Sequence, residues 1–291
     1  MADGAGNSIT AFDPVSNRVV GTIPVSASPQ GLAVSNDVDL TRPRRLYVSS
    51  GGKNLLDVID LKAQKVVRSV SVGPRPGCLA LSPDGRRVFV CLEGQPGIDV
   101  VDTANMQKVR TIDLTGVTRN LYITPDSTRM IAAGEKKLTV INIRSEKAEF
   151  EIPVDGVVDG LAIESDKHLV IQRLFLQVAG MKGFEVLDYA SRKVTGKTAL
   201  PAASSGLAVS PDLKTLWVSS AASDAVTVFS LPELKKVGVV PVEHGPASIA
   251  CSAAACYVGS AGAVSVIDRQ GMKELRRIPA GALPGRMVLA E

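Results

Sequence analysis

Apolar and polar positions alternate in short runs along this chain, and the runs recur. An apolar stretch ending in Asp or a polar substitute occurs at Ala11-Phe12-Asp13, Val58-Ile59-Asp60, Val100-Val101-Asp102, Val140-Ile141-Asn142, Val186-Leu187-Asp188, Val228-Phe229-Ser230 and Val266-Ile267-Asp268. The interval is about 40 residues, the period of a propeller blade rather than of a helical array. Each copy predicts the same order of elements. An alternating strand such as Leu55 to Asp60 leads, and a turn of about four residues follows, which the Asp can cap by accepting from nearby backbone N–H groups. The next strand opens on a base: Arg18, Lys65, Lys108, Lys147, Lys193, Lys235 and Lys273. A charge there suits an outer edge strand, because it discourages pairing with another chain.

A loop, often with Pro, then leads into a short apolar strand. These are Gly31 to Val34, Cys78 to Leu81, Leu121 to Ile123, Gly160 to Ile163, Gly206 to Val209, Ser248 to Cys251 and Arg286 to Leu289. Small residues head most of them, as crowding around a central axis requires. Turns such as Ser82-Pro83-Asp84-Gly85 follow, with Pro presetting φ and Ser and Asp capping. The last strand of each copy carries Leu46-Tyr47-Val48, Val88-Phe89-Val90, Met130-Ile131-Ala132, Leu169-Val170-Ile171, Leu216-Trp217-Val218 or Cys256-Tyr257-Val258. Tyr47, Phe89, Trp217 and Tyr257 share one column there and are expected to pack between neighbouring blades.

The phase of the repeat sets the architecture. The chain opens on two outer strands, Ser8 to Asp13 and Arg18 to Val25, and closes on one inner strand, Arg286 to Leu289. Joining the ends predicts an all-β, seven-bladed β-propeller in one domain over residues 1–291, its seventh blade a composite of N- and C-terminal strands. One strand of that blade has no evident counterpart, which leaves open whether it has three strands or four.

Composition changes this picture little. With 45% apolar and 21% charged residues the chain is an ordinary globular one. Aromatics at 4% argue against stacked carbohydrate or single-stranded nucleic-acid sites. A net charge of +4 is too small to imply nucleic acid, and no apolar run approaches the length of a membrane span. The opening Met1-Ala2-Asp3 lacks the charged and apolar regions of a signal peptide.

Several stretches resemble the YVTN-type β-propeller repeat of the YncE-like bacterial and archaeal proteins. They are Asp57-Val58-Ile59-Asp60, Lys65-Val66-Val67, Val72-Gly73-Pro74-Arg75-Pro76 and Leu81-Ser82-Pro83-Asp84-Gly85-Arg86-Arg87-Val88-Phe89-Val90. The resemblance covers nearly the whole chain. It implies a seven-bladed fold and an extracytoplasmic address, periplasmic or secreted, with the cytoplasm left open. It is poor in function, since that propeller serves as an adhesion module, as a lactonase scaffold and within redox enzymes.

In such propellers ligands and partners usually meet one face of the central channel, where two sets of loops converge. The loops before the inner strands offer Gln30, Arg75, Arg119, Asn120, Asp159, His244 and Arg286, and the loops on the other side of the same mouth offer Glu93, Glu135 and the segment from Gln172 to Gly180. The repeat requires none of the three arginines, and their planar donor forks match carboxylate or phosphate. Gln30, Arg75, Arg119, Asp159, His244 and Arg286 are therefore the candidate ligand-binding set. The expected partner is an anionic small molecule or an unidentified protein at the channel face.

His244 is one of two histidines, and as a general base it needs a carboxylate within reach, with Glu243 and Asp159 as candidates. Metal-ligand spacing, a haem attachment motif, a nucleophile elbow and phosphate-binding loops are all missing from the sequence, so no cofactor or metal is expected. These features favour a non-catalytic binding propeller. The rivals are a hydrolase or lyase acting on a lactone or other anion, and a partner subunit of a redox complex. Of the four cysteines, Cys251 and Cys256 flank a tight hairpin and are expected to pair. Cys78 and Cys91, placed diagonally at best, are expected to be buried thiols.

Overall fold

The computed structural model describes residues 1–3, 6–13, 15–16, 18–35, 43–281 and 285–289, and these are almost entirely strand and turn. A short sheet holds β1 (Ala2–Asp3), β2 (Ser8–Asp13) and β3 (Arg18–Pro24). A four-stranded antiparallel sheet follows: β4 (Pro29–Val34), β5 (Arg45–Ser50), β6 (Leu55–Asp60) and β7 (Lys65–Ser71).

A continuous run of nine pairs β8 (Pro76–Leu81), β9 (Arg87–Leu92), β10 (Pro96–Asp102), β11 (Gln107–Ile123), β12 (Arg129–Asn142), β13 (Lys147–Ser165), β14 (Ile171–Val178), β15 (Gly183–Asp188) and β16 (Lys193–Ala199). Two more four-stranded sheets complete the chain. One holds β17 (Gly206–Val209), β18 (Thr215–Ser220), β19 (Ala225–Ser230) and β20 (Lys236–Pro241). The other holds β21 (Ser248–Cys251), β22 (Ala255–Ser260), β23 (Ala263–Asp268) and β24 (Lys273–Pro279). Among the described residues no helix is long and apolar enough to cross a membrane.

The repeated Asp and base columns have local causes. Asp60 Oδ1 accepts from the Ala63 N–H at 2.8 Å, Asp102 Oδ1 from Ala104 and Asn105 at 2.9 Å, and Asp188 Oδ1 from Ser191 at 2.7 Å. The residue before the base sits in the left-handed region in several copies: Gln64 at φ 49°, Glu146 at 55°, Arg192 at 58° and Met272 at 49°. A register shift follows one pair on, for example between Val58 and Ile59. This is a short hairpin loop closed by a bulge, and it turns the chain onto the exposed outer strand.

The middle two strands of each four-stranded sheet are buried on both faces, because neighbouring sheets pack face to face. Tyr47 and Val58 share a cluster with Leu79, Val90 and Val101 of the next sheet, and Trp217 shares one with Cys256, Val258 and Ile267. Tyr47, Phe89, Trp217 and Tyr257 are all buried in such clusters. The outer strands keep only isolated inward residues.

Three elements depart from the sequence expectation. First, β11 and β13 each fuse an outer strand to the following inner strand. The stretch Thr115 to Arg119 has no Pro, and it keeps its N–H groups for pairing, Val117 facing Pro96 and Thr118 facing Gly134. Second, β12 folds back on itself at Lys136, whose φ is 60°, and the Ile143 N–H reaches the Thr128 carbonyl at 3.1 Å across its two ends. Third, Leu169 and Val170 are not in a strand. Asp166 Oδ1 accepts from His168 at 2.8 Å and Val170 at 3.0 Å, holding a turn in which Leu169 has φ 64°, and the strand is Ile171–Val178 instead.

The strand left without a counterpart is supplied by Ala2–Asp3. It pairs with β2, and the Ala2 N–H donates to the Arg286 carbonyl at 3.0 Å while the Gly285 N–H donates to the Ala2 carbonyl at 2.9 Å. Ala2 and Val288 pack with Leu32 and Leu46 on one side, and Met1 and Met287 pack with Tyr257 and Val264 on the other.

The cysteines form two bonds, Cys251–Cys256 and Cys78–Cys91, with Cα separations of 4.0 and 5.3 Å. The expectation of free thiols at Cys78 and Cys91 therefore fails. Leu79 pairs with Val90, which sets Cys78 directly opposite Cys91 rather than diagonal to it.

Candidate functional site

The inner strands line a common axis. Leu32, Leu79, Leu121, Leu161, Leu207 and Ile249 hold equivalent places on successive inner strands, Met287 holds the matching place in residues 285–289, where the expected strand is not formed, and all face one cavity of about 350 Å³. Approach there is close: a Cβ on Gly31 would run into the Gly77 carbonyl and Leu79, and one on Gly206 would lie 3.2 Å from Ile249 Cγ2. This crowding explains why small residues head these strands.

Residues one or two places before these positions form the mouth: Gln30, Arg119, Asp159 and Ser205 two before, and Arg286 one before. Above lies a second cavity of about 440 Å³, lined by Gln30, Arg75, Glu93, Arg119, Glu135, Asp159 and Arg286 together with the Cys78–Cys91 bridge. Five of the six candidate ligand-binding residues thus share one cavity. Arg75 reaches it from a turn with φ 47°, whose N–H is held by Asn54 Oδ1 at 2.9 Å. Of the segment Gln172–Gly180, Gln177 reaches the axial cavity.

His244 lies outside both cavities. It precedes the left-handed turn residue Gly245 (φ 69°), and its ring faces outward to Asp224, Nδ1 to Oδ2 at 3.0 Å, with 81% of the side chain exposed. Asp224 also takes the Gly245 N–H at 2.9 Å. The hydrogen bond and charge of Asp224 raise the His244 pKa above its usual value. Its partner is neither Glu243 nor Asp159, so a proton-transfer role for His244 at the mouth is not supported.

The charges at the mouth differ in how they are satisfied. Arg119 pairs with Glu135 at 3.5 Å, both about half exposed, an arrangement that water screens strongly. Arg75 Nη2 donates to the Glu93 carbonyl at 3.0 Å. Arg286 donates from Nη1 to Asn120 Oδ1 at 2.5 Å, and Asn120 Nδ2 donates to the Asp159 carbonyl at 3.0 Å. Among the described residues no carboxylate pairs with Arg286, and the Asp159 and Glu93 carboxylates have no ion-pair partner.

Arg286 is half-buried as a residue, open to the cavity on one side, while protein surrounds its guanidinium. Burial lowers its pKa, an effect that the nearby Tyr122 hydroxyl opposes. Tyr122 replaces the Ala found at Ala33, Ala80, Ala162, Ala208 and Ala250. Its hydroxyl accepts the Leu161 N–H at 2.8 Å, and burial raises its pKa. The site is thus built around a cation in a low-dielectric wall with only a neutral amide as partner, a state that an incoming anion would relieve. Sequence reasoning missed Tyr122, although its break in the Ala column was a visible signal. Among the described residues no group of three or more His, Cys, Asp or Glu side chains is placed to hold a metal ion.

No protein-family model matches the chain, and no curated protein matches it. Solved structures do. Hydrazine synthase of Kuenenia stuttgartiensis is similar with a TM-score of 0.77 and 21% identity, over 91% of this chain and 90% of that one. The dihydro-heme d1 dehydrogenase NirN, in complex with DHE, is similar with a TM-score of 0.72 and 16% identity, over 96% of this chain and 63% of that one. At such identities the likeness speaks to fold alone. Both are β-propeller proteins, and the repeated antiparallel sheets around a common axis in this chain have the same fold: it is a β-propeller.

Proposed function

We propose that this chain is a binding propeller that takes a small anion at the mouth of its central channel through Arg286, assisted by Arg75 and Arg119. The reading includes a single seven-bladed domain of the YVTN-repeat type, whose last blade combines Met1–Asp3, β2 and β3 with residues 285–289. It includes export to the periplasm or beyond, in keeping with two disulfides. The observation that carries it is Arg286: a guanidinium set in the cavity wall, hydrogen-bonded among the described residues to Asn120, with no carboxylate among them to neutralise it. A hydrolase or lyase reading loses one of its two candidate proton carriers, because His244 lies outside the cavity, and would rest on Asp159.

A thermal-shift series with carboxylates and inorganic phosphate tests the reading. Binding to the folded state alone adds about 2.7 kcal/mol at a hundred times the dissociation constant. Arg286→Met should abolish the shift while the unliganded protein stays as stable as before, since a buried unpaired charge is costly to keep. A shift of full size in Arg286→Met would refute the reading.

A second reading, a subunit of a redox assembly, draws on the names of the two similar structures, a hydrazine synthase and a dehydrogenase. It requires a stable complex with a cofactor-bearing protein. Co-purification from the native host in the absence of cross-linker tests it, and a monodisperse monomer under those conditions would count against it.

A further inference from the structure

We infer that the ligand at the channel mouth is a zwitterion, an α-amino acid with an aliphatic side chain. This rests on the anion-binding role of Arg286 and adds a second pole to it. A site for a plain anion would be lined by excess positive charge. Here Arg75, Arg119 and Arg286 are balanced by Glu93, Glu135 and Asp159 around one cavity. Arg119 and Glu135 already pair with each other.

Arg286 and Asp159 differ from the rest, for they line both the upper cavity and the axial one and so stand at the junction. They do not pair with each other. Asn120 stands between them, its Oδ1 holding the Arg286 guanidinium and its Nδ2 holding the Asp159 carbonyl. A cation and an anion thus line one junction without an ion pair between them, and among the described residues neither has another charged partner. An α-amino acid carries its carboxylate and ammonium a few ångströms apart and can meet both.

The carboxylate would take the free N–H edge of Arg286, and the ammonium would take the Asp159 carboxylate, each a charge-assisted contact. The side chain then faces the axial cavity, where Leu121, Leu161, Leu207 and Ile249 offer apolar surface. Its volume of about 350 Å³ accommodates a leucine-sized group.

Calorimetric titration of the full chain at low salt tests this with three probes. L-leucine carries both poles, 4-methylpentanoate lacks the ammonium, and leucinamide lacks the carboxylate. L-leucine should bind, with each analogue at least roughly ten-fold weaker, as loss of one charge-assisted contact implies. In Asp159→Asn, which changes an exposed side chain and should fold normally, leucine should weaken until it binds no better than 4-methylpentanoate. In Arg286→Met both should be lost. If 4-methylpentanoate or phosphate binds the native protein as tightly as leucine, and does so through Arg286, the zwitterion is refuted and the anion reading stands. If none of the three probes, nor any carboxylate or phosphate, binds, both are refuted.

Discussion

Removal of Asp99 should cost this fold several kilocalories per mole, because its carboxylate satisfies buried donors. Asp99 lies fully buried on β10. Its carboxylate accepts the Gly73 N–H at 2.7 Å and the Thr111 hydroxyl at 2.7 Å, and Lys108 Nζ lies 2.7 Å away. Gly73 belongs to the connection that carries the chain from β7 to the inner strand β8, so Asp99 ties one sheet to the entry of its own. Asp99→Ala leaves the Gly73 donor without a partner, worth about 1–3 kcal/mol, and takes a charge-assisted bond of similar size from Thr111, whose hydroxyl can re-aim in part. The Lys108 contribution is at most about 1 kcal/mol, because its side chain is 36% exposed and re-solvates. The expected loss is about 2–4 kcal/mol for Asp99→Ala, about half that for Asp99→Asn, and under about 1 kcal/mol for Lys108→Met. Urea unfolding followed by the fluorescence of Trp217, the one tryptophan, reads all three. A loss in Lys108→Met as large as in Asp99→Ala would refute the reasoning, because the ion pair and not the buried donors would then dominate.

Two further outcomes follow from the structure. The Asp224 contact raises the His244 pKa above 6.5, so its stabilising contribution is complete below that value and is lost as pH rises through the raised one; an NMR titration should find the shift in the native protein and its disappearance in Asp224→Asn, and equal values in the two would count against the contact. The chain-entropy view assigns about 3 kcal/mol to the Cys78–Cys91 bridge, which spans 13 residues, and about 2 kcal/mol to Cys251–Cys256, which spans 5. Paired Cys→Ser variants should lose stability in that order. The unfolded, unreduced protein should yield no reactive thiols, and two or more would refute a bridge.

The elements were legible wherever the repeat is carried by local chemistry. The Asp that caps each turn, the base that opens each outer strand and the small residue at the crowded axis all act within a few residues of themselves. Most of what failed depended on neighbours in space. Fusion of the strands in β11 required knowing that Val117 and Thr118 find partners on β10 and β12. Leu169 and Val170 carry the apolar pattern of a strand, yet Asp166 outcompetes the ladder for their N–H groups by closing a local turn, and the strand moves on to Ile171–Val178. The pairing of Cys78 with Cys91 turned on a register set by neighbouring residues. The buried acids Asp57 and Asp99 were invisible as a class, because in single strands they read as ordinary polar alternation.

The candidate site was legible by the opposite route, through positions where the repeat gives no reason for the residue present. Around the mouth most copies carry Gly, Ala or Ser, and the packing of the axis accounts for those. Arg286, Asp159, Asn120 and Tyr122 satisfy no such demand, and they turn out to be one connected group: guanidinium to amide, amide to carbonyl, hydroxyl to the neighbouring inner strand. His244 met the same sequence criterion and failed, because its side chain leaves from the residue before the left-handed turn and finds Asp224 outside. Departure from a repeat therefore marks a residue as free of structural duty, while the direction of its side chain decides whether it serves the channel. The group around Arg286 meets both conditions. Among the described residues, neither the buried guanidinium nor the Asp159 carboxylate has an ion-pair partner. Folding alone gains nothing from that arrangement, and a ligand carrying both charges does.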